Sequence, residues 1–291
     1  MTGIRRTVVT IHPAGPWGGP SALRELLASR ELLGNLTLRE LRSKYRGTAL
    51  GQGWSLLHPI ALLAIYAVVF SQILRVRPAV GSPSGLHSFV LWLATGLLPF
   101  LFFSTVVTQG MGSLVGNANL IKKVYFPREA IVLATATACL VTFLIEYTVL
   151  HVAVGLAGAA ISPARLLVTL LLVALLFLFG TGLALIGSVL NVFFRDLQHL
   201  LTLVMMAWLY ATPVIYPIAL VRAELGADST GFEIYSMNPM AGFVESFRDL
   251  VYDGRMPDFL MVGYLALVTA MVLVIGHVLF RALEGSLAEE L

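Results

Sequence analysis

The sequence predicts an all-α membrane protein with six transmembrane helices, preceded by an N-terminal amphipathic interfacial helix. Three observations carry this. First, 58% of the 291 residues are apolar and only 12% are Asp, Glu, Lys or Arg, about half the roughly 25% of a soluble domain, and mean hydropathy is +0.87. That excludes a typical soluble enzyme, and also a disordered chain, which needs low hydrophobicity and high charge. Second, the few charges leave long gaps: Arg46 to Arg75, Arg77 to Lys122, Glu129 to Arg165 (broken only by Glu146), Arg165 to Arg195, Asp196 to Arg222 and Asp258 to Arg281. Each is long enough for the roughly 20 residues of a membrane-crossing helix. Third, the Lys and Arg residues are unevenly shared. The side holding both termini carries 13 of them and the other side six, which makes the first side cytoplasmic. The net charge of +3 is therefore a topology signal and gives no indication of nucleic acid.

The elements follow in order. Residues 1–20, rich in Pro and Gly, read as a flexible leader. Arg5 and Arg6 are followed by too short an apolar run for a cleavable signal, so the first span is expected to serve as the insertion signal. Residues 21–55 form the cytoplasmic approach. Ser21 to Leu33 reads as a short helix that Gly34-Asn35 interrupts. Thr37 and Glu40 then fit a capping box that starts a second helix. On it Leu38, Leu41 and Tyr45 share one face, and Arg39, Arg42 and Arg46 another. Such a helix would lie in the interface plane. Its arginines either meet anionic lipid head groups, which residue types alone favour, or dock a cytoplasmic partner.

The six-helix domain spans 56–281, with helices predicted at 56–74, 89–109, 130–157, 165–190, 199–217 and 259–280; residues 282–291 form a cytoplasmic tail. The Gly-, Ser- and Pro-rich stretch after Arg77 reads as a loop. In the cytoplasmic loop 110–129, Asn117 or Asn119 would cap a short helix through Lys123. Lys122 and Lys123 otherwise suit an ordinary polar turn with snorkelling side chains. The loop 191–198 is short, so it holds its flanking helices side by side, and Arg195 and Asp196 either tie it to other cytoplasmic segments or form an exposed pair of little energetic weight. In the outer segment 218–258, Asn238-Pro239 starts a helix on which Phe243, Phe247 and Leu250 recur at helical spacing, with Glu245 and Arg248 placed to pair. This helix would dip into the interface or cover a pathway. Tyr210, Tyr216, Phe232, Tyr235 and Tyr252 are read as an aromatic belt, the alternative being a stacking surface for sugar rings.

Chemistry-bearing motifs are scarce. There is no phosphate-binding loop, zinc-protease motif, nucleophile elbow or dinucleotide fingerprint. The six histidines are scattered and the one cysteine, Cys139, lies inside a span, so neither a disulfide within the chain nor a cysteine metal site is expected. Glu146 is the one acid inside a predicted span. An ionised carboxylate there costs roughly 2.5–3.5 kcal/mol on insertion scales. It is either a pore-lining or relay acid, or a buried carboxyl bonded to a neighbouring helix.

Several stretches together resemble one family. They are Leu36 to Arg46; Leu50-Gly51 with Trp54 and Pro59; Asn119-Leu120-Ile121-Lys122-Lys123-Val124-Tyr125-Phe126-Pro127-Arg128-Glu129; Asn191-Val192-Phe193-Phe194-Arg195-Asp196-Leu197; Thr212-Pro213-Val214-Ile215-Tyr216-Pro217; and Asn238-Pro239. In this order, with a re-entrant outer segment before the sixth helix, they resemble the membrane subunit of ABC-2-type polysaccharide exporters, which export O-antigen, capsule, teichoic acid or mycobacterial galactan. The resemblance covers about residues 30–281. It implies a homodimer in the bacterial inner membrane, with two copies of a separate ATPase that binds ATP and Mg, no cofactor in this chain, and a lipid-linked polysaccharide as cargo. A composition rich in Ala, Leu, Val and Arg leans that cargo toward galactan. The resemblance also shifts the balance for the arginine face from lipid to docking. Residues implied in coupling to the ATPase are Thr37, Arg39, Glu40, Arg42, Tyr45, Arg46, Asn117, Asn119, Lys122, Lys123 and, more weakly, Arg195 and Asp196. Candidates to line the polymer path are Tyr66, Phe70, Glu146, Tyr210, Tyr216, Phe243 and Phe247. Two rivals come from other classes. A membrane-embedded enzyme acting on polyprenyl-linked sugars would need a catalytic cluster, for which the short cytoplasmic loops supply only Glu129 and Asp196. An ion-coupled carrier would need more than one intramembrane acid.

Overall fold

A computed structural model describes residues 30–45, 47, 51, 53–73, 75, 80–124, 126–160, 162–226 and 229–290. Every regular element among them is helical, and the chain is a membrane protein. Four helices are long and apolar enough to cross a bilayer: α3 (Phe89–Gly116), α5 (Glu129–Leu156), α6 (Pro163–Phe193) and α11 (Phe259–Leu283). Around them lie α1 (Arg30–Tyr45), α2 (Gly53–Tyr66, continued by a π-helical turn over Ala67–Ile73), the one-turn α4 (Ala118–Ile121), α7 (Leu197–Tyr210), α8 (Ile218–Leu225), α9 (Thr230–Ser236), α10 (Pro239–Phe247, continued as a π-turn over Arg248–Asp253) and α12 (Leu287–Glu290). The leader and the helix expected from Ser21 lie almost wholly outside the described residues.

Helix α1 runs unbroken through Gly34-Asn35, and Thr37 sits in its interior instead of capping it. The capping box is thus corrected. Packing decides: Leu36 is buried with Ala130 and Ala134 of α5, and Leu32, Leu33, Leu120 and Phe126 close around them. The small alanines let α1 lie close, and this burial outweighs the roughly 1 kcal/mol that an interior glycine costs. The stripe facing the protein is therefore Leu32, Leu33, Leu36 and Thr37, while Leu38 is exposed.

At the centre is α3. Ser88 caps it, its Oγ accepting from the Leu91 N–H, and residues 92–100 are buried without interruption. It runs seven residues past the predicted end at 109, so the first part of the expected loop 110–129 is helix. Gly110 and Gly112 fall inside the expected loop but serve close approach instead. A Cβ on Gly110 would stand 2.5 Å from the Ala184 Cβ of α6, and one on Gly112 would stand 3.1 Å from the Gln198 side chain. On the far side of α6, Gly182 crosses Gly276 of α11 backbone to backbone. The turn expected over 191–198 shrinks likewise. Asn191 is buried inside α6, and its Nδ2 donates to the Met111 carbonyl of α3 at 3.3 Å.

The span expected at 199–217 also differs. Helix α7 has 14 residues, about 21 Å of rise, which falls short of the roughly 30 Å hydrocarbon core. Pro213 cannot extend it, and Thr212–Ile215 turn into the protein and are buried. In the outer segment Asn238 caps α10 as expected, accepting from the Met240 N–H, with Pro239 at the first helical position. Helix α10 is not amphipathic in its setting, however. Met240 to Val244, Ser246 and Phe247 are all buried, so it packs in the core beside α3 instead of lying at the interface.

Candidate functional site

The structure brings two of the implied coupling segments together. Arg39 of α1 donates through Nη2 to Asn117 Oδ1 at 2.5 Å and to Glu40 Oε1 at 2.9 Å. Asn117 in turn donates through Nδ2 to the Ser113 carbonyl at 2.9 Å. It thus closes the C-terminal end of α3 and makes no side-chain cap to α4, where the sequence suggested an N-cap. Thr37 is buried in the α1–α5 contact. Arg42, Asn119, Lys122, Lys123, Arg195 and Asp196 are exposed around this junction or at the α6–α7 turn. Arg46 and the side chain of Tyr45 lie outside the described residues. An exposed pair such as Arg39–Glu40 adds only about 0–1 kcal/mol; its value here is orientation, since it aims the guanidinium at Asn117.

Beneath α1 three cavities run end to end. The outermost, about 670 Å³, lies between Arg39, Asn117 and Gln198. A middle one of about 280 Å³ is bounded by Glu40, Lys44 and Thr135. The innermost, about 520 Å³, reaches Trp54, His58, Phe143 and Glu146. Gln109 of α3 lines all three. Cys139 donates to Gln109 Oε1 at 3.3 Å, which leaves the amide N–H groups of Gln109 as donors. Glu146 lines the innermost cavity together with Lys44 of α1, among walls that are mostly apolar.

The aromatic candidates divide into two groups. Tyr66 meets Phe70 edge-on at 6.1 Å between centroids, and Phe70 stacks on the core residue Phe89 at 6.5 Å. Tyr216 donates its hydroxyl to the Tyr210 carbonyl at 2.6 Å and lies 3.2 Å from the Tyr235 hydroxyl, and Tyr210 is half exposed. Phe243 and Phe247, by contrast, are wholly buried, packed on Phe179 and Tyr147 at 5.9 and 5.5 Å. They stand in the interior of a single chain.

Two polar centres were not visible as such in the sequence. Arg248 is 3% exposed, with its guanidinium carbon 3.8 Å over the Trp92 ring. It donates to Glu245 at 2.7 Å, to the Pro213 carbonyl at 2.5 Å and to the Val214 carbonyl at 2.6 Å. Gly96 makes the room, since a Cβ there would stand 3.0 Å from Nη2. The spacing of Glu245 and Arg248 foretold their pair but not the carbonyls of a distant turn. At the other end, Glu129 is buried with His277 Nδ1 at 2.9 Å and Arg281 Nε at 3.6 Å, and Arg281 also meets Glu284 at 3.4 Å. This joins α5 to α11. The four-residue spacing of His277 and Arg281 was the available signal. Among the described residues no group of three or more His, Cys, Asp or Glu is placed to hold a metal ion.

The long apolar helices thus form a block to which α1 is bonded at the end of α3, with a cleft beneath it. The chain belongs to the ABC-2 type transporter family, whose profile matches residues 31–252. It is 29% identical over 269 residues to the O-antigen export system permease protein RfbA of Myxococcus xanthus, covering 92% of this chain and 98% of that protein. It is 28% identical over 259 residues to the protein of the same name from Klebsiella pneumoniae, covering 89% and 94%. With the polysialic acid transport protein KpsM of Escherichia coli it shares 28% identity over 255 residues, 87% and 93%.

Proposed function

We propose that this chain is the membrane permease subunit of an ATP-driven exporter of lipid-linked polysaccharide, acting as a homodimer in the bacterial inner membrane with two copies of a cytoplasmic ATPase that binds ATP and Mg. Family membership together with relatives named for O-antigen and polysialic acid transport supports the cargo class; galactan is the specific glycan that composition favours. The observation that carries the coupling is the Arg39–Asn117 clamp, which joins α1 to the end of the central helix α3. In this reading the chain crosses the membrane six times with both termini cytoplasmic. Helix α2 with its π-turn and α7 with the turn after it supply two spans, and the outer segment is re-entrant through α10. ATP hydrolysis in the partner supplies the force. Helix α1 receives it at Arg39 and Arg42 and passes it through Asn117 to α3 and through Leu36 to α5.

Depletion of the protein is expected to make a lipid-linked polymer accumulate on the cytoplasmic side. An unchanged distribution would sink the export reading, and the sugar composition of the accumulated polymer identifies the glycan. Reversing Arg39 and Arg42 to Glu together is expected to abolish export and to release stimulation of the partner's ATPase, with the permease still reaching the membrane. Export and assembly at normal levels would remove α1 from the coupling path. Glu146→Gln keeps shape and removes only the ionisable group, so it is expected to assemble normally yet lose most export. Full export would leave the carboxyl a structural role.

A further inference from the structure

We infer that the cleft beneath α1 is a sugar-binding site that receives uncharged, hydroxyl-rich residues of the lipid-linked glycan nearest the cytoplasmic leaflet. The inference rests on the export reading and adds a place, a ligand chemistry and a moving wall.

Continuity is the first ground. The three cavities share lining residues: Gln109 in all, Lys44 and Cys139 in the inner two, Glu40, Ser43 and Thr135 in the outer two. Together they lead from the cytoplasmic loop to the membrane interior. Volumes of about 520 and 670 Å³ fall inside the roughly 300–1,000 Å³ of pockets that hold multi-ring ligands.

The second ground is chemistry. Gln109 offers amide N–H donors, and Thr105 and Thr142, whose hydroxyls donate to the Leu101 and Ala138 carbonyls, offer acceptor lone pairs, in a pocket that also presents the half-exposed indole of Trp54. A pyranose ring needs both: alternating donors and acceptors for its hydroxyls and a flat apolar surface for its C–H face.

Charge separates a sugar from the other obvious ligand, a lipid phosphate. Arg39 is paired with Glu40 at 2.9 Å, and Lys44 lines the inner cavity together with Glu146. His58 is the remaining basic group at the inner end. Each strong cation thus has an acid at hand, so a diphosphate meets no concentrated positive field, whereas a neutral polyol loses nothing by this balance. The innermost wall, Leu101, Phe102 and Phe143, is apolar where a lipid tail would continue into the bilayer.

One wall of the cleft is α1 itself, through Arg39, Glu40, Ser43 and Lys44. The helix proposed to receive the ATPase stroke therefore also closes on the sugar. Binding and stroke share one lever, so occupancy of the cleft should raise ATPase turnover.

The test places a photoreactive benzoylphenylalanine at Trp54 in the intact export complex, in cells that make the glycan. After irradiation the purified permease is probed for glycan and for lipid phosphorus. The expected result is a shift of part of the permease to a glycan-bearing, higher-mass form. That shift should vanish in cells blocked in glycan synthesis and be absent with the same reporter at Leu260, an exposed position on α11. Thr142 takes a second reporter in case the Trp54 variant fails to assemble. Adducts to phospholipid or carrier phosphate alone, or equal glycan signal at Leu260, would overturn the inference. Gln109→Leu should reduce the Trp54 adduct severalfold while the ATPase still co-purifies; an unchanged adduct counts against the site. Depletion keeps the two ideas apart. If no polymer accumulates, the export reading fails. If polymer accumulates and neither reporter captures glycan, the cleft alone fails.

Discussion

Gly276→Val is expected to be the most damaging single substitution in the membrane block. A Cβ at Gly276 would stand 2.5 Å from the Gly182 carbonyl oxygen and 3.2 Å from its carbon, and a Cβ at Gly182 would stand 2.9 Å from the Leu273 backbone. All of these are backbone atoms, so no rotamer change relieves the clash and α6 must part from α11. Overpacking in an adaptable core costs about 1–3 kcal/mol; here the obstacle is rigid, so a loss at or above the top of that range is expected. The measurement is thermal stability in detergent, read by the monodisperse fraction after heating. Gly263→Ala on the same helix, where nothing lies within 4 Å, should behave as wild type. If Gly276→Val matches Gly263→Ala, the close crossing does not exist.

Arg248→Met should come second. It leaves the Pro213 and Val214 carbonyls without their donor and Glu245 without its partner. Glu245 is about one-third exposed, so water absorbs much of its share. The two carbonyls dominate, and each buried acceptor left unpaired costs about 1–3 kcal/mol. A loss on the order of 3 kcal/mol follows, localised to the turn after α7. Limited proteolysis at residues 211–217 should become rapid while cleavage elsewhere is unchanged. Arg248→Lys should recover only part of this, because a single ammonium cannot reproduce a planar fork that reaches Glu245 and both carbonyls while stacked on Trp92. Resistance of the turn in Arg248→Met would mean that the arginine does not hold it.

The membrane character, the helical class and most helix positions were legible because long charge-free runs have one physical solution in lipid. Asn238-Pro239 marked a helix start that the structure keeps. The errors have a common cause: a residue type states what it tolerates locally and not what stands opposite. Gly110 and Gly112 were equally good evidence for a loop and for a close crossing. Thr37 with Glu40 was a sound capping box until Ala130 and Ala134 supplied a surface that kept the helix going. Spacing tied Arg248 to Glu245 alone, because Trp92 and the Pro213 turn lie far from it in sequence. For the candidate site, spacing placed Arg39 on α1 and Asn117 at a helix boundary, but their bond spans 78 residues. The cleft required five elements, α1, α2, α3, α5 and α7, to converge and left no local trace beyond Glu146.

The paired small-residue crossings have a mechanical consequence. Gly110 locks α3 to α6, and Gly182 with Gly276 locks α6 to α11, so these three helices form a stator. Sliding would drive backbone into backbone where α6 meets α11 and the Ala184 Cβ into backbone where α3 meets α6. Opening a path must then come from parts that swing about this stator as whole bodies, with α1 and α2 on one flank and the short α7 on another. A hinge belongs at Phe194 to Asp196, between α6 and α7, and stiffening that connection should slow the proposed export cycle without touching the stability of the frame.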